Sequence, residues 1–297
     1  MAADLQFLLL LVTDGVLVGL MYSLIAIGFV LIYKATDAIN FAQGEFVMFA
    51  GIVAAAVAAA GANFWLTAVL TMLVMIGFSF GLERVVLRPL IGRPVIAVVM
   101  ATIGLAAIIR GLGPLIFGVG IRAIPLPFDD QPIFWGPLML PPVQLAGAGI
   151  SVVFLIGFTW LFTRSRTGIA MRAVADSQTV AMAMGINVQR YFAYAWALAG
   201  IVSALGGLIW GALLGVDNQL ALIGLKVFPV VILGGLDSIA GAVVAGLIIG
   251  VLENLTAGYL DSYLGGGTKD LVPYVLMIIV LMFRPYGLFG KKRIDRI

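Results

Sequence analysis

The chain has 297 residues, of which 63% are hydrophobic and 10% charged, whereas soluble domains are roughly 45–50% apolar and about 25% charged. This composition excludes an ordinary soluble domain and indicates a membrane protein, and the net charge of +3 is typical of basic loops rather than of a nucleic-acid-binding face. The absence of cysteine and histidine excludes disulfides, Cys/His metal sites, Ser-His-Asp triads and thiol nucleophiles. No pair of carboxylates stands at catalytic spacing within an apolar run, and we expect neither an enzyme nor a metal site.

Hydropathy divides the chain into membrane segments, because a hydrocarbon core of about 30 Å requires roughly 20 apolar residues per helix. Seven predicted spans stand alone, near 7–33, 42–61, 64–83, 95–117, 145–162, 191–213 and 271–283. Two further apolar runs, 222–234 and 238–256, are separated by Gly-Gly-Leu-Asp. The first run is too short to cross without strain, which predicts a broken or re-entrant helix pair. We therefore expect an all-α polytopic membrane protein with 8–9 membrane segments in one domain, 1–297.

Basic residues predict the orientation of the loops, because cytoplasmic loops carry an excess of lysine and arginine. The loop 118–144 has one arginine and six prolines, and it is predicted to be ordered and external. Counting the predicted membrane segments from these loops then places the N-terminus outside and the C-terminus in the cytoplasm. The connections predicted to be cytoplasmic contain Arg84, Arg88 and Arg93; Arg164, Arg166, Arg172 and Arg190; and Lys291, Lys292, Arg293 and Arg296.

A polar segment, 163–190, separates two long apolar stretches. Backbone this polar must lie in water or against a partner, since lipid cannot satisfy it. We expect a helix whose narrow apolar face fits a groove on a soluble protein, with Arg172 and Asp176 either pairing across the rim or forming a local i,i+4 pair. That predicted face consists of Ala170, Ala173, Val174 and Ala181.

The stretch Ile39–Phe46 places Asn40, Gln43 and Glu45 in apolar surroundings. Ionisable groups at membrane depth are costly and commonly functional. Equally, the stretch fits a cytoplasmic turn in which Glu45 complements a helix N-terminus. Both interpretations place these residues beside the translocation path or the coupling machinery.

The stretch 234–242 carries a second turn. Gly234 and Gly235 permit sharp backbone turning, and Asp237 or Ser238 can cap the helix that follows. Close helix packing is a simpler interpretation of this stretch than substrate contact. The small residues expected to pack are Gly241, Ala245, Gly246 and Gly250.

Single charges and tryptophans complete the candidate residues. Asp14, Arg110 and Glu253 lie within predicted spans, where each can pair, line a cavity or snorkel to the surface. The tryptophans mostly fall near predicted span ends, which is typical of an interfacial belt. They are Trp65, Trp135, Trp160, Trp196 and Trp210.

Three motifs together resemble the bacterial high-affinity branched-chain amino acid ABC transporter permeases, and most closely their shorter, H-type subunit. They are INFAQGEF (39–46), RTGIAMRAVADSQTVAMAMGINV (166–188) and GGLDSIAGAVVAGLIIGVLE (234–253). The resemblance extends from about residue 10 to about residue 290, including FRPYGLFG (283–290).

The resemblance implies a multi-pass permease of the bacterial inner membrane with no cofactor of its own. A sister permease would complete the pore, two ATP-binding subunits would carry ATP and Mg²⁺, and a periplasmic solute-binding protein would deliver substrate. It implies contact with the ATPase subunits through residues 164–190, at Gly168, Arg172, Ala173, Asp176, Met184 and Gly185. The translocation path is expected at Asn40, Gln43, Glu45, Gly234, Gly235 and Asp237.

Two questions stay open at this point. The sequence differs from the commonest residues of the family at Gln43, Asp237 and Ala240. These differences leave urea, short amides and aromatic acids as alternative substrates. An ion-coupled secondary transporter, with a cation bound by buried carboxylates, also fits broken helices. The polar segment favours the importer, since such a carrier would not require it.

Overall fold

A computed structural model describes residues 2–118, 120–136 and 138–290, and α-helices dominate it. The basic tail at 291–297 and Pro137 lie outside the described residues. The eleven helices of the described part are α1 Ala2–Thr36, α2 Gln43–Ala59, α3 Phe64–Leu82, α4 Val95–Phe117, α5 Pro142–Arg164, α6 Arg166–Asp176, α7 Gln178–Ala183, α8 Val188–Leu214, α9 Leu222–Gly234, α10 Ile239–Leu264 and α11 Thr268–Phe283.

Short elements complete the chain. A π-helical turn, Glu83–Leu87, and a 3₁₀ turn, Arg88–Leu90, follow α3, and a second 3₁₀ turn, Asn218–Ala221, precedes α9. Strands β1 (Ile133–Trp135) and β2 (Leu138–Leu140) form an antiparallel hairpin in which Ile133 pairs with Leu140. The loop 118–144 is therefore ordered in part, as its prolines predicted.

The predicted spans agree with the helices, and the all-α class is confirmed. Among the described residues, six stretches are long and apolar enough to cross a membrane. Helices α2 and α9 are apolar but shorter, and α9 has 13 residues and ends at Gly234, where the sequence predicted a half-helix. The six long stretches are Asp4–Thr36, Phe64–Leu90, Val95–Phe117, Pro142–Arg164, Val188–Leu214 and Ile239–Leu264.

The contacts divide the chain into two units. Unit 1 comprises the described residues within 1–30, 129–152 and 225–297, and unit 2 comprises those within 31–128 and 153–224.

In unit 1, α1 and α10 pack with their backbones in contact. A methyl group added at Gly250 would lie 2.4 Å from the carbonyl oxygen of Gly15, and one added at Gly246 would lie 2.7 Å from that of Gly19. Small residues allow such close approach between membrane helices. The predicted packing role of the glycines in α10 is confirmed.

In unit 2, α8 packs closely against α2 and α3. A methyl group at Gly207 would lie 2.6 Å from the carbonyl oxygen of Val47. Trp196 is fully buried, with its ring 5.9 Å from that of Phe46, and Trp210 is 5% exposed. The prediction of an interfacial belt is wrong for these two tryptophans, because apolar rings on a helix inside a bundle gain more by packing than at a boundary.

Helices α4 and α8 define two opposite ends of unit 2. With 27 residues, α8 is about 40 Å long. A larger cavity of about 450 Å³ lies beside the starts of α4 and α8, and a smaller cavity of about 250 Å³ lies beyond their C-terminal ends. Arg93 and Ser177 both line the larger cavity, so the loops around 83–94 and 165–188 meet at one end. The positive-inside rule predicts both loops on the cytoplasmic side, and two such loops must lie at the same end of the unit.

Candidate functional site

The polar segment (163–190) folds as two short helices with side-chain caps. The hydroxyl of Ser165 accepts a hydrogen bond from the backbone N–H of Gly168 at 2.9 Å. Ser177 adopts an extended conformation between α6 and α7 and caps α7 by accepting from the N–H of Val180 at 3.3 Å. Asn187 caps α8 in the same way. Caps of this kind satisfy N–H groups that would otherwise have no partner. Residues of the segment itself therefore define where its helices begin.

One face of the segment packs into unit 2. Val174 and Ala181 are each 2% exposed, and Val174 lies in a small gap with Lys34 and Phe162. The prediction that Val174 and Ala181 form an exposed docking face is wrong. Their side chains cover apolar surface inside the protein, a more favourable place for them than water.

Gly168 belongs to the same inward face. A methyl group added there would lie 2.4 Å from the carbonyl oxygen of Phe162 and 2.5 Å from that of Leu161. Only glycine allows the start of α6 to approach the end of α5 this closely. The structure thus gives Gly168 a packing role within the chain.

The opposite face of the polar segment carries large apolar side chains outward. This outward face is more apolar than the alanine face that the sequence suggested. Large apolar side chains exposed on a segment of this polarity make this face a candidate surface for binding a partner. The outward residues are Ile169 (53% exposed), Val180 (61%), Met182 (56%) and Met184 (77%).

Arg172 turns back toward the end of α5. Its guanidinium lies 5.8 Å from the centre of the Phe162 ring and donates a hydrogen bond to the carbonyl oxygen of Thr163 at 3.3 Å. Ala173 is half-buried, whereas Asp176 and Gly185 are exposed. Of the residues proposed to contact a partner, Asp176, Met184 and Gly185 are therefore exposed to solvent.

Asn40 and Gln43 form a buried polar cluster between α1 and α2. The Asn40 Oδ1 atom accepts from the N–H of Ala42 at 3.1 Å, and its Nδ2 atom donates to Gln43 Oε1 at 3.4 Å. Gln43 in turn donates to the hydroxyl of Ser203, in α8, at 3.0 Å. Both side chains are fully buried. Hydrogen-bonded networks of this kind fix one arrangement of the helices they join.

Glu45 lies in the first turn of α2, as the dipole argument predicted, and it also has a charged partner. Its carboxylate accepts a hydrogen bond from the guanidinium of Arg110, in α4. Glu45 is 5% exposed, and the side chain of Arg110 is half-exposed. The pair satisfies an ionised group that would otherwise be costly to bury.

The turn at Gly234–Ser238 is packed against the segment 286–290 within unit 1. Gly235 has a φ of +101°, and a methyl group on it would lie 2.6 Å from the backbone nitrogen of Gly290. The N–H of Phe289 donates to the carbonyl oxygen of Gly234 at 3.1 Å. Ser238 caps α10, as predicted, by accepting from the N–H of Gly241 at 3.0 Å. Gly234 and Gly235 are thus surrounded by backbone.

Residues 11–281 match the family described as "Branched-chain amino acid transport system / permease component". The chain belongs to this permease family. LivH, the high-affinity branched-chain amino acid transport system permease protein of Salmonella typhimurium, is 29% identical over 96% of each chain. BraD of Pseudomonas aeruginosa is similar to the same extent. A probable LivH of Methanocaldococcus jannaschii is 30% identical over 90% of this chain and 88% of its own.

Among solved structures, PsaBC from Streptococcus pneumoniae in complex with Fab shares 13% identity over 92% of each chain, with a TM-score of 0.49. The resemblance that the three motifs indicated is confirmed by the family and its relatives. Members of this family are transport permease subunits, so the expected class of function is confirmed.

Several polar residues of the permease were missed by sequence reasoning. Ser203 and Thr102 hold the cluster around Asn40 from α8 and α4, since Thr102 accepts from the N–H of Phe41 at 3.2 Å. In unit 1, Tyr22 donates to the carboxylate of the fully buried Glu253 at 3.0 Å. An isolated hydroxyl within an apolar helix is the only signal that marks such residues beforehand.

Proposed function

We propose that this chain is the membrane-spanning permease subunit of an ATP-driven importer for branched-chain amino acids or close analogues. It forms the pore with a second permease and couples to two ATP-binding subunits, which hold ATP and Mg²⁺. A periplasmic solute-binding protein delivers the substrate to it in the bacterial inner membrane, with the N-terminus outside and the C-terminus in the cytoplasm. The family match over residues 11–281 supports transport of this class.

The observation that carries the coupling proposal is the outward face of the polar segment. Four large apolar side chains project from a segment that lipid does not accommodate. Helices that present apolar side chains in this way bind grooves on soluble partners. The contact therefore centres on Val180, Met182 and Met184, with Asp176 and Gly185 beside them. Gly168 and Arg172 act indirectly, by holding α6 against α5.

The polar cluster and the second turn serve the translocation path in different ways. Asn40, Gln43 and Glu45 lie beside the path and fix the bend between α1 and α2, since they are buried and bonded to one another or to neighbouring helices. Gly234, Gly235 and Asp237 shape the turn before α10. ATP-driven closure of the partner subunits would shift these helices between two states, which requires ATP to favour one of them.

The test is ATP hydrolysis by the complex co-purified through a tag on this chain and reconstituted in lipid. Wild type is compared with Val180→Glu and Met184→Glu, which place a charge on the outward face. Gln189→Glu is the matched control, since it adds the same charge at an exposed polar position nearby.

We expect substrate-loaded binding protein to stimulate hydrolysis in wild type and in the control, and both charged variants to lose ATPase subunits or stimulation. Full stimulation of Val180→Glu and Met184→Glu would contradict the coupling surface. Uptake driven by an ion gradient alone, with no associated ATPase, would contradict the importer and favour a secondary transporter.

A further inference from the structure

The smaller cavity of unit 2 carries two opposite charges. It lies at the end of unit 2 away from the polar segment, between the C-terminal end of α4 and the turn after α8. Arg122 and Asp217 both line it. Within the described part of the chain, neither forms a salt bridge with the other or with a different residue. Each charge is therefore available to a bound molecule.

Backbone contacts hold the two charged residues in place. The N–H of Arg122 donates to the carbonyl oxygen of Val216 at 3.0 Å, and the N–H of Val216 donates to that of Arg122 at 2.8 Å. The guanidinium lies beside the end of α4, since a methyl group on Gly118 would be 3.5 Å from its Nη2 atom. A helix C-terminus attracts a cation. The cavity thus has a positive side, and the backbone that carries this charge is held in place.

Asp217 is fixed as well. Its Oδ1 atom accepts from the N–H of Gln219 at 2.9 Å, which caps the 3₁₀ turn. A carboxylate oxygen accepts more than one hydrogen bond, and the second oxygen stays available. Both Arg122 and Asp217 are partly exposed rather than buried, so a small solute can reach them.

Apart from the polar side chains of Asn218 and Gln219, the rest of the wall consists of apolar residues and glycines. Ile52 of α2 and Val216 are buried beneath the cavity, and Pro114 of α4 lies at its side. Ligand sites typically combine an apolar wall with a few polar groups that fix orientation. At about 250 Å³, the cavity is smaller than the roughly 300–1,000 Å³ of sites for drug-sized ligands. It suits a small solute.

We propose that this cavity binds a zwitterionic aliphatic amino acid, with Arg122 holding its carboxylate, Asp217 its ammonium group, and Ile52 and Val216 its side chain. This inference rests on the proposed function and names where the substrate first meets the permease. Selection of an amino acid needs a charge-assisted hydrogen bond from each residue. Arg122 alone would bind any simple carboxylic acid, and Asp217 alone would bind any simple amine. The site lies on the predicted external side, where a binding protein would release its cargo.

The test measures equilibrium binding of radiolabelled L-leucine to the nucleotide-free complex in lipid nanodiscs, without the binding protein. Competition by 4-methylpentanoate, which lacks the ammonium group, and by 3-methylbutylamine, which lacks the carboxylate, reports each charge separately.

The variants are Arg122→Gln and Asp217→Asn. Both preserve the local fold, since Arg122 pairs with Val216 through its backbone and asparagine still accepts from Gln219. Arg84→Gln and Asp129→Asn, at exposed positions that do not line the cavity, are the matched controls.

Each variant is expected to weaken leucine binding by about tenfold or more, the value of one charged hydrogen bond. Arg122→Gln should leave the affinity for 3-methylbutylamine unchanged, and Asp217→Asn should leave the affinity for 4-methylpentanoate unchanged. A merely structural defect would not produce this pattern. Unchanged leucine affinity in both variants overturns the inference. So does a loss confined to stimulation by the binding protein, which would make the two residues a protein contact.

Failure of the proposed function gives a different result. A wild-type complex that neither hydrolyses ATP nor takes up leucine contradicts the importer itself. A wild-type complex that imports leucine, together with variants that bind it normally, contradicts only the assignment of this cavity.

Discussion

The guanidinium of Arg110, in the C-terminal half of α4, donates a hydrogen bond to the carboxylate of Glu45, in the first turn of α2. The two residues are 65 positions apart in the chain. This contact joins two helices of unit 2 through a buried acid and a half-exposed base. It gives the first prediction.

Arg110→Met should destabilise the protein, because it leaves the carboxylate of Glu45 buried without a cation. Breaking one side of a buried pair costs roughly 3–5 kcal/mol, and the half-exposed position of Arg110 places the expected loss at the lower end. The double variant Glu45→Gln/Arg110→Met should recover most of the stability. Thermal unfolding of the purified complex measures both. A single variant as stable as wild type would show that the pair contributes nothing.

Gly250→Ala should separate α1 from α10. The added methyl group would lie 2.4 Å from the carbonyl oxygen of Gly15 and 2.6 Å from the Cα atom of Gly19, so backbone must move, at a cost of roughly 1–3 kcal/mol. Gly77→Ala, in α3, is the control, because nothing lies within 4 Å of its added methyl group. Comparison of the two melting temperatures checks the prediction, and equal values would contradict the close contact.

Gly168→Ala should displace α6 from the end of α5 without unfolding the membrane helices. The clash with the carbonyl oxygen of Phe162, at 2.4 Å, lies at the junction between α5 and the polar segment. Stimulated ATP hydrolysis should fall, whereas the melting temperature should change less than in Gly250→Ala. Gly157→Ala, at an open position in α5, is the control for adding one methyl group. Normal stimulation in Gly168→Ala would separate this glycine from coupling.

Tyr22→Phe should destabilise unit 1, because Tyr22 donates to one oxygen of Glu253 and the other has no hydrogen-bond partner among the described residues. Loss of a hydrogen bond to a charged group costs roughly 1.5–3 kcal/mol. The double variant Tyr22→Phe/Glu253→Gln should be more stable than Tyr22→Phe alone. Tyr263→Phe, at an 85% exposed position, should be neutral. Denaturation curves of the four proteins test this, and a neutral Tyr22→Phe would argue against the bond.

The sequence predicted elements that depend on local chemistry. Runs of apolar residues located the helices, and Ser238 was predicted to cap α10 because serine is a favoured residue immediately before a helix. The side of a helix that faces inward was harder to predict. In the polar segment, Val174 lies inward and Val180 outward, and hydropathy alone does not distinguish two valines. The partner of Glu45 was also missed, since nothing near Glu45 in the chain points to α4.

One residue, Ser177, separates α6 from α7, and its extended backbone interrupts the helical hydrogen bonds there. Gln178, the next residue, donates from its side chain to the carbonyl oxygen of Ala35, near the end of α1, at 3.2 Å. A joint of one residue bends more easily than a continuous helix. The Gln178 amide thus links the start of α7 to the last turn of α1, and the coupling proposed for the polar segment would act on α1 through this hydrogen bond.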